Sequence, residues 1–185
     1  MGRCDLPWCT KGRQATHFPR CFLPCCKQTN LFILQVDESI TGFFGGLNDP
    51  TGIETFDWKS MTYTYHGAKL SGKRQFSACA LLNGNSEVAV VSGLTAGIET
   101  WNTIDGSTKV LNATFPRASG NAQTPQLISV KNGLELIYYE TWHMDSPDKG
   151  IWKYTLTTNT WSKIGEMAFA RDDFVALPVK DLSCN

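Results

Sequence analysis

The sequence has no excess of either charge, because its 185 residues include 17 Lys and Arg and 17 Asp and Glu. A neutral chain has no overall electrostatic attraction to nucleic acid or to an anionic membrane surface, so we expect neither as a partner. No apolar run approaches the ~20 residues that a membrane-spanning helix needs. The first residues also make a poor signal peptide. The default expectation is a cytoplasmic protein, or a secreted one if the true N-terminus is missing.

Residue types that build catalytic sites are few and scattered. The only histidines are His17, His66 and His143, and the chain lacks the Gly-x-Ser-x-Gly, phosphate-loop and His-Glu-x-x-His motifs. Cys79 stands inside an apolar run, which is typical of an inert core thiol rather than a nucleophile. We therefore expect a protein that is not an enzyme, with no cofactor and no bound metal.

Residues 1–29 differ in composition from the rest of the chain. They hold five of the seven cysteines and a net charge of +4, from five Lys or Arg and one Asp. No helix or strand period is visible there, which favours a disordered tail. Two alternatives stay open. One is a zinc site built from Cys4, Cys9, Cys21 and Cys25, although the usual C-x2-C pair is missing; the other is a disulfide cluster in an exported chain.

A repeat runs through the remainder of the sequence. Three passages begin alike, 45 and 53 residues apart: Gly52-Ile-Glu-Thr-Phe-Asp, Gly97-Ile-Glu-Thr-Trp-Asn and Gly150-Ile-Trp-Lys-Tyr. An arginine follows each of these glycines by 20 to 22 residues, at Arg74, Arg117 and Arg171. Two markers in phase indicate a repeat architecture.

Each unit of the repeat consists of short strands and turns. Apolar or alternating runs are separated by turn signals such as Asn83-Gly84-Asn85, where positive φ is adopted at low cost. The pattern predicts an all-β domain over 30–185. It has four strands in each of three units, at about 30–66, 74–112 and 117–165, and the first strand of a fourth unit from 171. Four antiparallel strands in a unit of about 50 residues make a β-propeller blade.

Several residues resemble the signature of the kelch repeat family over roughly residues 31–179. That signature is a double glycine closing the second strand, followed by a Tyr and a Trp with six residues between them. Gly45-Gly46 matches the first element, and Tyr154 and Trp161 match the second. In the second unit Ser92 replaces one glycine of the pair, and the third unit has Tyr139-Glu140 there. The resemblance implies a propeller that presents loops to a protein or peptide partner.

The candidate binding residues lie just before the first strand of each unit and in one long loop. If Arg74, Arg117 and Arg171 line one rim of the propeller, their guanidinium groups can clamp acidic side chains of a partner. The alternative is that each arginine pairs with a carboxylate or loop carbonyl at its own blade junction. Trp142 and His143, in the longest excursion between strands, are the other binding candidates.

Two further functions remain as alternatives to a protein-binding scaffold. One is a propeller enzyme of the oxidase type, which would need tyrosines and two histidines to converge on copper. The other is carbohydrate binding at an exposed aromatic such as Trp142.

Three blades and one strand do not close a ring, since propellers use about 4–8 blades. We therefore expect either a fragment of a longer product or self-association through open blade edges.

Overall fold

The computed structural model of this chain describes residues 32–113, 125–140, 149–169 and Ala176. Those ranges contain twelve strands and no helix, which confirms the predicted all-β class. Accordingly, no helix long and apolar enough to cross a membrane occurs among them. The cysteine-rich segment 1–29 and all but Ala176 of the predicted fourth unit lie outside the described residues.

The strands form three antiparallel sheets of four, each named here as a blade. In blade 1 the strands are β1 (Phe32–Gln35), β2 (Ile40–Phe44), β3 (Ile53–Asp57) and β4 (Thr62–Tyr65). In blade 2 they are β5 (Ser77–Leu82), β6 (Glu87–Ser92), β7 (Ile98–Asn102) and β8 (Thr108–Leu111). In blade 3 they are β9 (Gln126–Val130), β10 (Glu135–Tyr139), β11 (Gly150–Thr155) and β12 (Thr160–Glu166). In every blade each strand pairs with the strand next to it in the sequence.

Tight turns allow this up-and-down order. Between β5 and β6 the chain reverses at Asn83, Gly84 and Asn85, and all three have positive φ. Lys131, Asn132 and Gly133 do the same between β9 and β10. The two turns also contact each other, because the N–H groups of Asn83 and Gly84 donate to the carbonyls of Gly133 and Asn132 at 2.9 Å. The turns therefore close hairpins and also join blade 2 to blade 3.

The blades pack face to face, with blade 2 in the middle. Successive residues of a strand point to opposite faces, and all four residues from Val88 to Val91 are fully buried. Val88 and Val90 join a cluster with Phe44 and Ile53 of blade 1. Ala89 and Val91 join a second cluster with Leu136, Tyr138 and Tyr154 of blade 3. The three sheets are therefore stacked blades, as expected for part of a β-propeller.

The first strands of the blades lie side by side, since β5 contacts both β1 and β9. This is the arrangement of inner strands around a propeller axis. Ala176 borders the same region as Leu34 of β1 and Leu127 of β9.

The end of the second strand in blades 1 and 2 shows why glycine is used there. Gly45 and Gly46 have φ of 70° and 113°, in the left-handed region that glycine adopts readily. A Cβ atom on Gly45 would collide with the backbone carbonyl of Arg74. Ser92 and Gly93 take the same positive φ in blade 2, at 65° and 100°, so the replacement of one glycine by serine preserves the backbone shape.

Candidate functional site

Arg74 lies inside the junction between blades 1 and 2. Its backbone N–H donates to the carbonyl of Pro50, and its carbonyl accepts from Gly46, so blade 1 holds the main chain in place. Its side chain is only 2% exposed. The Nη1 atom donates to the carbonyls of Ser92 and Thr95 at 2.6 and 2.8 Å. The loop after β6 is thus folded around the guanidinium group.

The rest of the guanidinium group binds Glu99 on β7. Nε and Nη2 of Arg74 both donate to Oε1 of Glu99, at 3.0 and 2.5 Å. The backbone N–H groups of Ser71 and Gly72 also donate to this carboxylate, at 2.6 and 2.9 Å. Burial alone would raise the pKa of Glu99, but the hydrogen bond from Ser71 and the charge of Arg74 outweigh it, so the pKa lies below its usual value. Glu99 is therefore an ionised, buried partner.

The structure thus gives Arg74 the architectural role that the sequence left as the alternative. Its hydrogen bonds run to Glu99 and to loop carbonyls of its own blade, and no part of its side chain is open to a partner on a rim. The signal that could have revealed this is Glu99, the third residue of a Gly-led passage. The remaining candidates lie outside the described residues: Arg117, Arg171, Trp142 and His143.

One face of blade 1 has the row of paired residues whose inner part, in blades 2 and 3, packs against the preceding blade. Directly paired residues of an antiparallel sheet share a face, and the pairings place Ile33, Phe43, Glu54 and Tyr65 in one row across all four strands. We call this the blade 1 row. The Gly-led passages align Glu54 with Glu99 and with Trp152, so the equivalent rows pass through those two residues.

The equivalent rows face the preceding blade. In blade 2 the row contains Cys79, Val90, Glu99 and Val110. Cys79 and Val90 belong to the cluster shared with blade 1, whereas Val110, at the outer end, is 50% exposed. In blade 3 the row contains Leu127, Tyr138 and Trp152. All three belong to the cluster shared with blade 2. In the blade 1 row Phe43 is buried, at 5% exposed, whereas Ile33 and Tyr65 at its two ends remain 55% and 51% exposed.

Glu54 occupies in the blade 1 row the position that Glu99 holds in blade 2. It is half-buried, and no hydrogen bond is donated to its carboxylate by the described residues. Burial raises the pKa of Glu54, the nearby charge of Asp49 raises it further, and the charge of Lys69 opposes this rise without a hydrogen bond. Lys69 is engaged elsewhere, since its Nζ donates to Asp49 at 2.6 Å and lies 4.2 Å from the centre of the Tyr65 ring. Glu54 is therefore a carboxylate that lacks the arginine its counterpart has.

Tyr63 extends the apolar part of this face. It stands two residues before Tyr65 on β4, so it shares the same side of the sheet. Its ring is 6.2 Å from that of Phe43, and 49% of the residue is exposed. Tyrosines of this kind, with an apolar ring and a polar tip, are enriched in protein interfaces.

The described residues offer little for chemistry. Across 32–113, 125–140 and 149–169, no three His, Cys, Asp or Glu side chains come close enough to hold a metal ion. Burial raises the pKa of the Cys79 thiol to about 12, which leaves almost no nucleophilic thiolate at neutral pH.

Comparison with known proteins gives no family, since no protein-family model and no curated protein sequence matches this chain. The class of protein is therefore defined by its own geometry. It is an all-β chain of three stacked, four-stranded antiparallel blades, consistent with part of a β-propeller.

Proposed function

We propose that this chain is a non-catalytic protein-binding scaffold made of kelch-type propeller blades, and that a protein partner docks on the blade 1 row. The observation behind this proposal is the repeat of one surface in three blades. The inner parts of the rows of blades 2 and 3 pack against a neighbouring sheet, whereas Ile33 at the inner end of the blade 1 row is exposed, as are Tyr65 in that row and Tyr63 beside it. An exposed apolar patch of this kind is typical of an interaction site.

The chemistry of the partner follows from the covered counterpart. In blade 2 the row is completed by an arginine hydrogen-bonded to Glu99, whereas in blade 1 the charge of Lys69 acts on Glu54 without a hydrogen bond. A partner segment that supplies apolar side chains and one arginine would satisfy both the aromatic surface and the carboxylate. The arginine would form with Glu54 the charge-assisted pair that Arg74 forms with Glu99.

Site-specific photo-crosslinking tests this proposal. A benzoylphenylalanine at Tyr63 should react with a partner, whereas the same group at Trp58, which is also exposed but follows β3 at a turn, should not. Mass spectrometry of the product should identify a partner peptide that contains an arginine. The charge reversal Glu54→Lys should abolish the product, and Glu38→Lys, which makes the same change in the turn between β1 and β2, should leave it intact.

Two results would overturn the proposal. One is a crosslink from position 63 to residues 1–31 of the same chain, because the row would then be covered from within. The other is a crosslinked partner that survives Glu54→Lys, because Glu54 would then have no part in recognition. The rim candidates are tested separately with Arg117→Glu and Arg171→Glu, leaving the buried Arg74 intact.

A further inference from the structure

Two Asn-Gly pairs lie against each other where blade 2 meets blade 3. Asn83-Gly84 is part of the turn between β5 and β6, and Asn132-Gly133 is part of the turn between β9 and β10. Both asparagines are exposed, with φ of 51° and 54°. Asn-Gly is favoured in such turns because both residues tolerate positive φ. It is also the sequence in which asparagine, a thermolabile residue, loses its amide group most readily.

Loss of the amide group proceeds through the backbone nitrogen of the following residue. The nitrogen of Gly84 gives up its proton to hydroxide and attacks Cγ of Asn83. A bond forms between these two atoms, the bond from Cγ to Nδ2 breaks, and Nδ2 leaves as ammonia. Water then opens the five-membered imide at one of its two carbonyls, which leaves aspartate or isoaspartate. Because glycine has no Cβ, no side chain hinders the attack.

Blade 3 holds the attacking nitrogen in the folded chain. The N–H of Gly84 donates to the carbonyl of Asn132 at 2.9 Å, and the N–H of Asn83 donates to the carbonyl of Gly133 at the same distance. A hydrogen-bonded N–H is protected from hydroxide until its bond opens, as amide hydrogen exchange shows. The protection of Asn83 therefore depends on a contact between two blades.

The second Asn-Gly pair is protected within its own hairpin. The N–H of Gly133 donates to the carbonyl of Val130, at the end of β9, at 3.1 Å. Gly133 is also buried, whereas Gly84 is exposed. Separation of the blades would free the N–H of Gly84 and leave the bond from Gly133 to Val130 in place. The same dipeptide is thus protected in two different ways.

The contact between the turns is supported by apolar packing beside it. Leu82, which directly precedes Asn83, is fully buried in the cluster that joins blade 2 to Leu136 of blade 3. Val91 belongs to this cluster, whereas its neighbour Val90 belongs to the cluster shared with blade 1. Loss of packing on the blade 3 side should therefore separate the turns, and the same loss on the blade 1 side should not.

The product of the reaction fits the closed junction less well than asparagine does. Nδ2 of Asn83 donates to Oε1 of Glu87 at 3.1 Å. Aspartate and isoaspartate both replace this donor by a carboxylate, so an attraction becomes a repulsion between like charges. Isoaspartate also adds one carbon to the main chain between the N–H of Asn83 and that of Gly84. The two hydrogen bonds to blade 3 would then no longer be in register.

We propose that Asn83 is a deamidation site controlled by the junction of blades 2 and 3, and that its product holds this junction open. Asn83 is protected while the two blades are packed and reacts when they separate. Because the amide group leaves as ammonia, the change persists after the blades pack again. The modified chain therefore records that its blades have separated. This proposal does not depend on the blade 1 row.

The test follows deamidation of the full chain at pH 8 in water labelled with ¹⁸O, which marks the product formed during the incubation. Mass spectrometry of the peptides measures Asn83 and Asn132 separately. Asn83 should react at least about tenfold more slowly in the folded chain than in the chain unfolded by urea. Equal rates in the two states would overturn the proposal, because the junction would then give no protection.

A matched pair of variants separates opening of this junction from general instability. Val91→Ala removes packing toward blade 3, and Val90→Ala removes the same atoms on the side of blade 1. Val91→Ala should raise the Asn83 rate about tenfold and should raise the Asn132 rate less. Val90→Ala should raise both rates by the same factor, since it acts only through unfolding of the whole chain. An equal rise at Asn83 in the two variants would contradict the proposed control.

Urea below the unfolding transition makes the same comparison on the unaltered chain, should either variant fail to fold. With each rate divided by its value in the unfolded chain, Asn83 should react faster than Asn132, because its protecting bond is the one between blades. The reverse order would refute the proposal.

The effect of the product on the junction is measured on chains with isoaspartate at position 83, separated by ion exchange. They should unfold at lower urea concentration than unreacted chains. They should also be less stable than Asn83→Asp, which has the same charge without the added main-chain carbon. A product as stable as the unreacted chain would show that it does not hold the junction open. None of these results affects the crosslinking at Tyr63.

Discussion

Removal of Arg74 should destabilise this fold far more than removal of any surface charge. In Arg74→Met the aliphatic part of the side chain is retained while the guanidinium group is lost. Glu99, which is 1% exposed, then keeps only the hydrogen bonds from Ser71 and Gly72. Breaking a buried ion pair in this way costs about 3–5 kcal/mol. For a chain of this size that corresponds to a fall in Tm of about 6–20 °C.

The matched control is Lys69→Met, which breaks the Lys69–Asp49 ion pair of 2.6 Å. Its side chains are 40% and 31% exposed, so water screens the pair and the loss should not exceed about 1 kcal/mol. Urea unfolding followed by tryptophan fluorescence measures both variants. A cost for Arg74→Met as small as that for Lys69→Met would refute the buried junction described here.

The double variant Arg74→Met/Glu99→Leu adds a second check. Replacing both charges of a buried pair by apolar groups is often close to neutral. The double variant should therefore be more stable than Arg74→Met alone, even though it has one more substitution. The opposite order would mean that the two side chains do not act as a pair.

The effect should also depend on pH. The folded-state pKa of Glu99 lies below its ordinary value of 4.5, so its ionised form contributes stability that is present above pH 4.5. This contribution is lost as the pH falls through the folded-state pKa. In Arg74→Met the carboxylate has lost its cation, so protonation relieves the variant, and the stability difference between the two proteins should shrink as the pH falls.

Three other predictions test the fold by unfolding or labelling. Gly45→Ala should lower the free energy of unfolding by more than about 2 kcal/mol, because a strained φ is combined with a collision with the backbone. Gly106 has a similar φ but open space around it, so Gly106→Ala should lower the free energy of unfolding by about 1–2 kcal/mol. Val90→Ala and Val91→Ala should each cost about 1.5–3 kcal/mol in urea unfolding, since these neighbours point to opposite buried faces; one neutral result would mean that blade 2 is covered on one side only. Cys79 should resist iodoacetamide at pH 8 until urea is added, as read by mass spectrometry of its peptide, and rapid labelling of the folded chain would contradict its raised pKa.

The fold could be predicted closely because its signals are local. The turn residues Asn83 to Asn85 and the Gly-led passages mark where strands must end. Five strands have the bounds that the apolar runs and turn signals predict: Ile40–Phe44, Thr62–Tyr65, Glu87–Ser92, Thr108–Leu111 and Gln126–Val130. Others differ by one or two residues at an end, as for β12, which runs to Glu166. Backbone conformation at such positions depends on a few residues that are adjacent in the chain, so the sequence alone can predict it.

The candidate site could be predicted only in part, because it depends on contacts between blades. The arginine repeat was visible, but it does not tell whether a guanidinium group faces solvent or a folded-back loop. The Arg74 guanidinium group is buried because it binds Glu99, and the two residues are 25 positions apart in the chain. A pattern along one chain cannot show which face a neighbouring sheet will cover.

The pairing of every described strand with its sequence neighbours has a consequence for synthesis. Once β4 has left the ribosome, blade 1 has every strand that its ladder requires, and blade 2 is in the same position once β8 has emerged. Local pairing of this kind keeps contact order low for an all-β protein, which favours fast formation. Only the packing of one sheet on the next must wait for the following blade to be translated. Each blade is therefore most exposed to misassociation in that interval.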